Sequence, residues 1–490
     1  MSSPKIILVV PPQAEMTKEY LPSIGVAYLA AALEKNDYEV KVIDSLVCGF
    51  NNEQTIKAVL KENPFLVGVS ANTHNRFNAI DVIEGVKKDS CGQVFTVAGG
   101  PHFTPTVKDA LINIPSLDFV VRNEGEKTVV ELTDRLIRDS GMKPENLKRI
   151  NGLTFRFNGE IISTPDRDFI ENLDELPSPA WHLFDMSKYN ARLEGIIKYR
   201  AIGLMSSRGC PHNCIFCVNS TFWKRIFRRH SPKRFVDEVE FLHKKYGFRA
   251  FDFWDDTMTI FRPHIEEICR LIIERNLPIN WYSRARVDTV DFDLLSLMKR
   301  AGCKSISFGV ESGSERIIRA INKKINLSQV RKIAKICKEL DFNTKFFFIY
   351  SLPSETEDDL DQTLNLMSEL ASYSINFHCY AGIARIYPGT NLEVLAKKEG
   401  KIPRDFNWYK KVYFNLNKEI GADPIIPLYE NKNLSPKRIM DMVKKRKQDW
   451  IKKQGLSKLI KKGFRMIFRI RNIKDVKILI KKFTEAKIKR

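Results

Sequence analysis

Three cysteines fall within eight residues in Cys210-Pro-His-Asn-Cys214-Ile-Phe-Cys217, directly after an apolar run and within Ser206-Ser-Arg-Gly-Cys210. Thiolates at offsets 0, 4 and 7 on one loop can grip three corners of an iron–sulfur cube and leave its fourth iron without a protein ligand. That open iron is where chemistry can happen. A tetrahedral zinc would need a fourth ligand, and closed zinc sites usually come as paired short spacings. His212, placed between two of the thiols, suits that role poorly. The other six cysteines, Cys48, Cys91, Cys269, Cys303, Cys337 and Cys379, stand singly in apolar contexts and read as core residues.

Such a loop needs a scaffold, and residues 201–390 supply an alternation of strands and helices. Strands are expected near Ile202–Ser206, Ala250–Trp254, Ile279–Ser283, Ser305–Gly309, Thr344–Tyr350 and Phe377–Arg385, with helices such as Pro232–Tyr246 and Leu327–Leu340 between them. Six strand–helix units in about 190 residues suit a partial (β/α)6 barrel of the TIM type better than a full barrel of eight.

The first 140 residues also alternate. Apolar strands at Ile6–Val10, Val40–Ile43, Leu66–Ser70, Val94–Ala98 and Phe119–Val121 are separated by helical segments. This predicts an α/β fold: a doubly wound parallel sheet with right-handed crossovers, whose ligands sit at the carboxyl ends of the strands. Residues 141–200 read as a connector, with a hairpin turning at Asn158-Gly159 and a Pro-rich stretch at Leu176–Ala180. The chain thus divides into 1–140, 141–200, 201–400 and a C-terminal region, 401–490.

Composition excludes other classes. The 490 residues are 43% hydrophobic and 28% charged, unlike collagen or a disordered chain, and nine cysteines are too few for a disulfide scaffold. The apolar run after Met1 is cut short by Pro11-Pro12, which does not fit a signal peptide, and no stretch approaches the ~18 apolar residues of a membrane span. A cytoplasmic protein is expected. The net charge of +21 is concentrated at one end: residues 435–490 hold 21 Lys and Arg against 4 Asp and Glu, a net of +17, which leaves +4 for the rest. Leu456, Leu459, Ile460, Phe464, Ile467 and Phe468, then Ile473, Val476, Ile480 and Phe483, recur at helical spacing among these bases. A basic amphipathic helix of this kind fits a solvated appendage or an anionic membrane surface, ahead of nucleic-acid phosphates, which it could also bind with strong salt dependence.

The cysteine loop and the motifs after it resemble the radical S-adenosylmethionine (SAM) enzymes. The resemblance implies a [4Fe-4S] cluster on Cys210, Cys214 and Cys217, with Phe216 beside the SAM bound at its open iron. Phe251-Asp-Phe-Trp-Asp255-Asp256 stands where that family contacts the SAM amino group. Trp281–Asp288 offers Arg284 and Arg286 to a carboxylate or ribose. Ser307–Ser312 supplies Glu311 and Ser312 from the fourth strand, and Phe348–Pro353 matches the fifth-strand motif, with Tyr350 and Ser351 in place of its glycines.

The N-terminal domain resembles the cobalamin (B12)-binding domains that precede one radical-SAM subgroup, which includes methyltransferases and the anaerobic magnesium-protoporphyrin ester cyclase. Asp44-Ser-Leu46-Val-Cys-Gly49, Ser70-Ala-Asn72, Gly99-Gly100 and Glu124-Gly125-Glu126 stand at the pattern's positions, with Leu46 where cobalt-ligating members have histidine and Asn123 where glycine is usual. The resemblance assigns cobalamin contacts to Asp44, Ser70, Asn72, Gly99, Gly100 and Glu124. His74 and His102 are expected on exposed loops.

The implied chemistry is reductive cleavage of SAM to a 5′-deoxyadenosyl radical, with a reductant such as flavodoxin or ferredoxin, and methylation of an unactivated carbon in a small-molecule or lipid substrate. Cyclisation, rearrangement or oxygenation with the same cofactors is the alternative. A transfer-RNA methylthiotransferase is disfavoured, since it needs three further cluster cysteines and residues 1–209 hold only Cys48 and Cys91. A non-catalytic binding module would leave the cysteine loop without a purpose.

Overall fold

An apolar run without a polar side must be buried on both faces, and β1 (Lys5–Val10) is: Ile6, Leu8 and Val10 enter one apolar cluster while Ile7 and Val9 enter another on the opposite face. The computed structural model describes residues 4–13, 20–403, 406–414, 423–446 and 448–449. Helices Ile24–Glu34 and Glu126–Arg138 cover the first face, and Asn52–Leu60 and Arg76–Asp89 cover the second.

The first sheet continues with β2 (Glu39–Asp44), β3 (Leu66–Ser70), β4 (Phe95–Gly99), β5 (Phe119–Val121), β6 (Leu153–Phe157) and β7 (Glu160–Ser163), in the spatial order β2-β1-β3-β4-β5-β6-β7. The first five strands are parallel. From β1 the chain goes to β2 on one side and then to β3 on the other, so the carboxyl ends of β1 and β3 flank a crevice. The expected hairpin forms, but it joins this sheet as its antiparallel edge, with Phe155 opposite Phe119.

The second sheet begins at β8 (Ala201–Leu204). A two-residue antiparallel ribbon follows, β9 (Ser207–Arg208) with β10 (Arg228–Arg229), and then β11 (Ala250–Phe253), β12 (Asn280–Ala285), β13 (Cys303–Glu311), β14 (Asn343–Tyr350) and β15 (Phe377–Ile383). Six parallel strands lie in simple sequential order from β8 to β15, which is the expected open barrel. Period-two alternation sorts each strand. Phe251 and Phe253 face the helices, where Phe253 stacks on Trp281 at 4.9 Å, while Asp252 takes the other face and meets Arg284 at 2.7 Å.

One apolar cluster runs from the first sheet through Ile170, Leu173, Trp181 and Tyr189 of the connector into the barrel. Beyond the barrel the chain returns across both sheets: Trp408 and Tyr409 pack on the first sheet, and Asn431 donates to the Leu352 and Glu355 carbonyls at 2.8 Å. The Leu456–Phe483 pattern lies outside the described residues. Among the described residues no helix is long and apolar enough to cross a membrane. Two cysteine expectations fail: Cys48, in the last turn of a four-residue helix, and Cys91, in a positive-φ turn, are exposed, while Cys269, Cys303 and Cys337 are buried as expected.

Candidate active site

The cysteine loop is pinned at its neck and its tip. At the neck Arg208 pairs with Arg228 across the ribbon, and Gly209 follows with φ +91°, where an added Cβ would lie 1.9 Å from the Ile226 carbonyl oxygen. Only glycine fits there. At the tip the Ile215 amide donates to the Ile321 carbonyl at 3.2 Å, and the Ile215 carbonyl accepts from Leu392 at 2.8 Å. Cys210 Sγ lies 3.9 Å from Thr257 Oγ1, and Cys214 Sγ lies 3.9 Å from the Asn322 carbonyl oxygen.

Burial pushes the Cys217 thiol up to about 12 and raises that of Cys214, which Lys323 and Arg286 partly offset. Buried thiols of this kind lose their protons to a metal. Among the described residues no three His, Cys, Asp or Glu side chains gather tightly enough for a single metal ion. Three thiols on one loop without a fourth protein ligand fit a cubic cluster with one open iron.

The adjacent aspartates after β11 have separate fates. Asp255 is fully buried and accepts from the Ser206 amide at 3.1 Å, from Ser206 Oγ at 2.7 Å and from Ser207 Oγ, so it ties down the approach to the cysteines. Asp256 Oδ1 accepts from Asn219 Nδ2 at 2.5 Å, the Gly209 amide lies near enough to favour its charged form, and its buried Oδ2 has no partner. Burial raises its carboxyl to about 6. A buried acceptor left empty within electrostatic reach of Cys217 is a deficit that a ligand's ammonium group would fill.

At the carboxyl ends of the first sheet, Gly100 has φ +92°, and a Cβ there would lie 2.9 Å from the Ala71 carbonyl oxygen and 3.1 Å from Ser70 Oγ. The missing side chain lets the Gly100 backbone pack directly against the Ser70-Ala71 turn and brings the ends of β3 and β4 together at the crevice. Leu46 packs against the core where an axial histidine would stand. Other expected contacts are already engaged by protein. Asn72 Oδ1 accepts from the amides of His74 and Asn75, and buried Asp44 accepts from the Leu46 amide and from Tyr189 of the connector at 2.7 Å. The histidines are not exposed as expected: His102 is fully buried against Phe103, Trp408 and Tyr409, and His74 meets Asp423 at 2.7 Å and Tyr387 at 3.2 Å. The returning C-terminal segment covers both.

A family model described as the Radical SAM superfamily matches residues 204–367, and one described as the B12 binding domain matches residues 15–133. An uncharacterized methyltransferase of Pyrococcus horikoshii is 35% identical over 79% of this chain and 82% of its own length. The chain belongs to the cobalamin-dependent radical SAM enzymes. The anaerobic magnesium-protoporphyrin IX monomethyl ester cyclase of Rubrivivax gelatinosus is 29% identical over 73% of this chain, which spans 64% of that relative. In fold the chain is similar to the cobalamin-dependent S-adenosylmethionine radical enzyme OxsB with aqua-cobalamin and S-adenosylmethionine bound, with a TM-score of 0.72 at 19% identity over 99% of this chain and 71% of that one. The cofactors are a [4Fe-4S] cluster, SAM and cobalamin.

Within the radical SAM barrel the remaining expected contacts spread over several strands. Glu311, in the left-handed region at φ +70°, pairs with buried Lys323 at 2.7 Å, and Gly309 leaves their space open, since a Cβ there would lie 2.3 Å from Glu311 Oε1. Burial opposes the charge of Lys323 most strongly, but Glu311 and the neighbouring Cys214 together outweigh it and raise its pKa. Arg284 keeps about a third of its side chain exposed while bonded to Asp252. Arg286 is buried, paired with Asp288 at 2.8 Å and donating to the Lys323 carbonyl at 3.0 Å. Ser312 is buried against Thr363 at 3.1 Å, and Phe216 packs on the apolar cluster of Ile317 and Ile321.

Sequence reasoning missed Lys323, Asn219 and Asn322. None stands in a motif, but Asn322 adopts φ +57° in a chain position where a polar residue would otherwise be unremarkable. Glu124, expected at the cobalamin crevice, is instead buried against Arg208 and Arg228, because both oxygens are drawn to those guanidinium groups.

Proposed function

We propose that this enzyme methylates an unactivated carbon of a small-molecule or lipid substrate. The observation that carries the reading is the unpartnered buried oxygen of Asp256, close to Cys217 of the three-cysteine loop, in a chain that also carries a cobalamin domain. When bound, the cluster and SAM supply a strongly abstracting carbon radical after one-electron reduction, and cobalamin supplies a methyl carrier.

The protein's residues hold and shield. Cys210, Cys214 and Cys217 would hold the cluster. Asp256 Oδ2 would accept from the SAM ammonium group, and the exposed part of Arg284 would be available to its carboxylate or ribose. Glu311 keeps Lys323 charged near Cys214. Gly99, Gly100, Ser70 and Asn72 stand at the strand ends that would face cobalamin, with Asn72 Oδ1 held by the His74 and Asn75 amides. The carriage of an electron falls to a flavodoxin- or ferredoxin-type donor. Support for a lipid substrate is the net +17 of residues 435–490, which suits an anionic membrane surface, and a relative named hopanoid C-3 methylase, 24% identical.

The experiment is anaerobic reconstitution with SAM, hydroxocobalamin and a flavodoxin system, followed by mass spectrometry of extracts from cells with and without the gene. A metabolite that gains one methyl group supports the proposal. An unchanged carbon count with altered hydrogens or oxygens overturns it in favour of cyclisation or oxygenation. Flotation with anionic liposomes, with and without residues 436–490, tests the lipid arm; salt-insensitive failure to float removes it.

A further inference from the structure

The two cofactor domains meet at one carboxylate. Glu124, buried just beyond β5, uses Oε1 to accept from Arg208 Nη1 at 2.6 Å and from Arg228 Nη1 at 2.9 Å. Its Oε2 accepts from Arg228 Nη1 at 2.8 Å and from the Ile170 amide at 2.8 Å. Arg208 gives a second bond to Glu126 at 2.8 Å. The arginines are ribbon partners at the neck of the cysteine loop, Arg208 two residues before Cys210 and Arg228 eleven after Cys217. A single side chain of the B12-binding domain therefore grips both ends of the loop that carries the cluster ligands.

On its other side Glu124 leads to the cobalamin crevice. Asn123, in the left-handed region at φ +57°, donates its amide to Thr104 Oγ1 at 3.0 Å, and the Thr104 amide donates to the Gly100 carbonyl at 3.2 Å. The contacts run without a gap from Gly100 through Thr104, Asn123 and Glu124 to Arg208 and so to Cys210.

The electrostatics make the junction one unit. Two guanidinium groups and two carboxylates are buried together and balance in charge. Arg228 leans on Glu124 most, because its Nε and Nη2 have no hydrogen-bond partner and face the rings of Phe169 and Trp223. Removing Glu124 would strand a buried charge at the loop's neck.

We propose that Glu124 is a positioning residue that couples the two sites: a ligand in the cobalamin crevice orders the cluster loop, and a loaded cluster tightens cobalamin binding. Linkage requires the two effects to be equal. The proposal rests on the cofactors and not on methyl transfer, so its test needs no substrate and can fail while the proposed reaction stands.

Hydroxocobalamin is titrated into cluster-loaded and into iron-free protein, with binding read from tryptophan fluorescence. The wild type should bind at least about fivefold more tightly when loaded. Glu124→Gln should bring that ratio to near one while each form still binds. Glu62→Gln, which breaks a surface pair with Lys41 and Lys5, should keep the wild-type ratio. A wild-type ratio of one, or a wild-type ratio retained in Glu124→Gln, overturns the proposal. Should Glu124→Gln fail to fold by circular dichroism, the wild type decides: adding hydroxocobalamin to iron-free protein should slow amide exchange in residues 209–227, and unchanged exchange there overturns the coupling.

Discussion

The cysteine loop and the cobalamin crevice solve ligand binding in different ways. Around the cysteines, buried groups are left wanting: Asp256 Oδ2 and His212 Nε2 have no partner, and burial raises the Cys214 and Cys217 thiols. At the crevice the polar side chains are engaged by protein already, Asp44 with Tyr189, Asn72 with two amides and Glu124 with two arginines. An unsatisfied buried group costs about 1–3 kcal/mol, a cost that a matching ligand removes. On the proposed reading the loop would select an ammonium group and a metal, whereas the crevice would select its ligand by shape. The largest expected effect follows from this. Replacing Cys210, Cys214 and Cys217 together by alanine should abolish iron loading and 5′-deoxyadenosine formation and leave hydroxocobalamin binding to iron-free protein unchanged. Loss of that binding in the triple variant would break the comparison.

The aspartate pair sharpens it within one dipeptide. Asp256→Asn should raise the SAM dissociation constant about 10- to 100-fold, since a charged acceptor facing an ammonium group becomes a neutral one. Its melting temperature should stay near that of the wild type. Asp255→Asn should do the reverse, lowering the stability of iron-free protein by about 2–4 kcal/mol through loss of bonds to Ser206 and Ser207. Gly209→Ala should cost a similar amount by forcing the neck away from the Ile226 carbonyl. Equal SAM affinities in the two aspartate variants would show that the unpartnered oxygen has no part in binding.

The difference between the regions also explains what was legible in the sequence. Strands such as Leu66–Ser70 and helices such as Pro232–Tyr246 were readable to the residue, because apolar runs and caps act locally. The thiol spacing was readable for the same reason. The fates of Asp255 and Asp256 were not, since adjacent residues in one motif are told apart only by Ser206 and Asn219, which approach from distant chain positions. Glu124 looked like a crevice residue because it follows a strand of the first sheet, but Arg208 and Arg228, more than 80 residues on, outcompete the crevice for it. His102 looked exposed because Trp408 and Tyr409, which cover it, lie some 300 residues away.

The smallest effect tests whether every orphaned acid is a ligand's partner. Glu355, just past β14, is fully buried; its Oε2 accepts from the Leu352 amide at 3.2 Å, while Oε1 has no partner. Burial raises its carboxyl to about 7. Between its ordinary value and that one, the folded protein holds a proton that the unfolded chain has lost, so stability must fall as pH rises through this window, by about 1.4 kcal/mol per pH unit. Glu355→Gln stays neutral throughout. It should match the wild type near pH 4.5 and exceed it by up to about 3 kcal/mol at pH 8, read by urea unfolding of iron-free protein. SAM affinity should be unchanged, in contrast to Asp256→Asn. If Glu355→Gln instead weakens SAM binding, Glu355 belongs to the site, and unsatisfied burial marks ligand contacts on both sides of the barrel. If it gives no gain at pH 8, the folded protein holds Glu355 ionised, and burial alone does not set its charge.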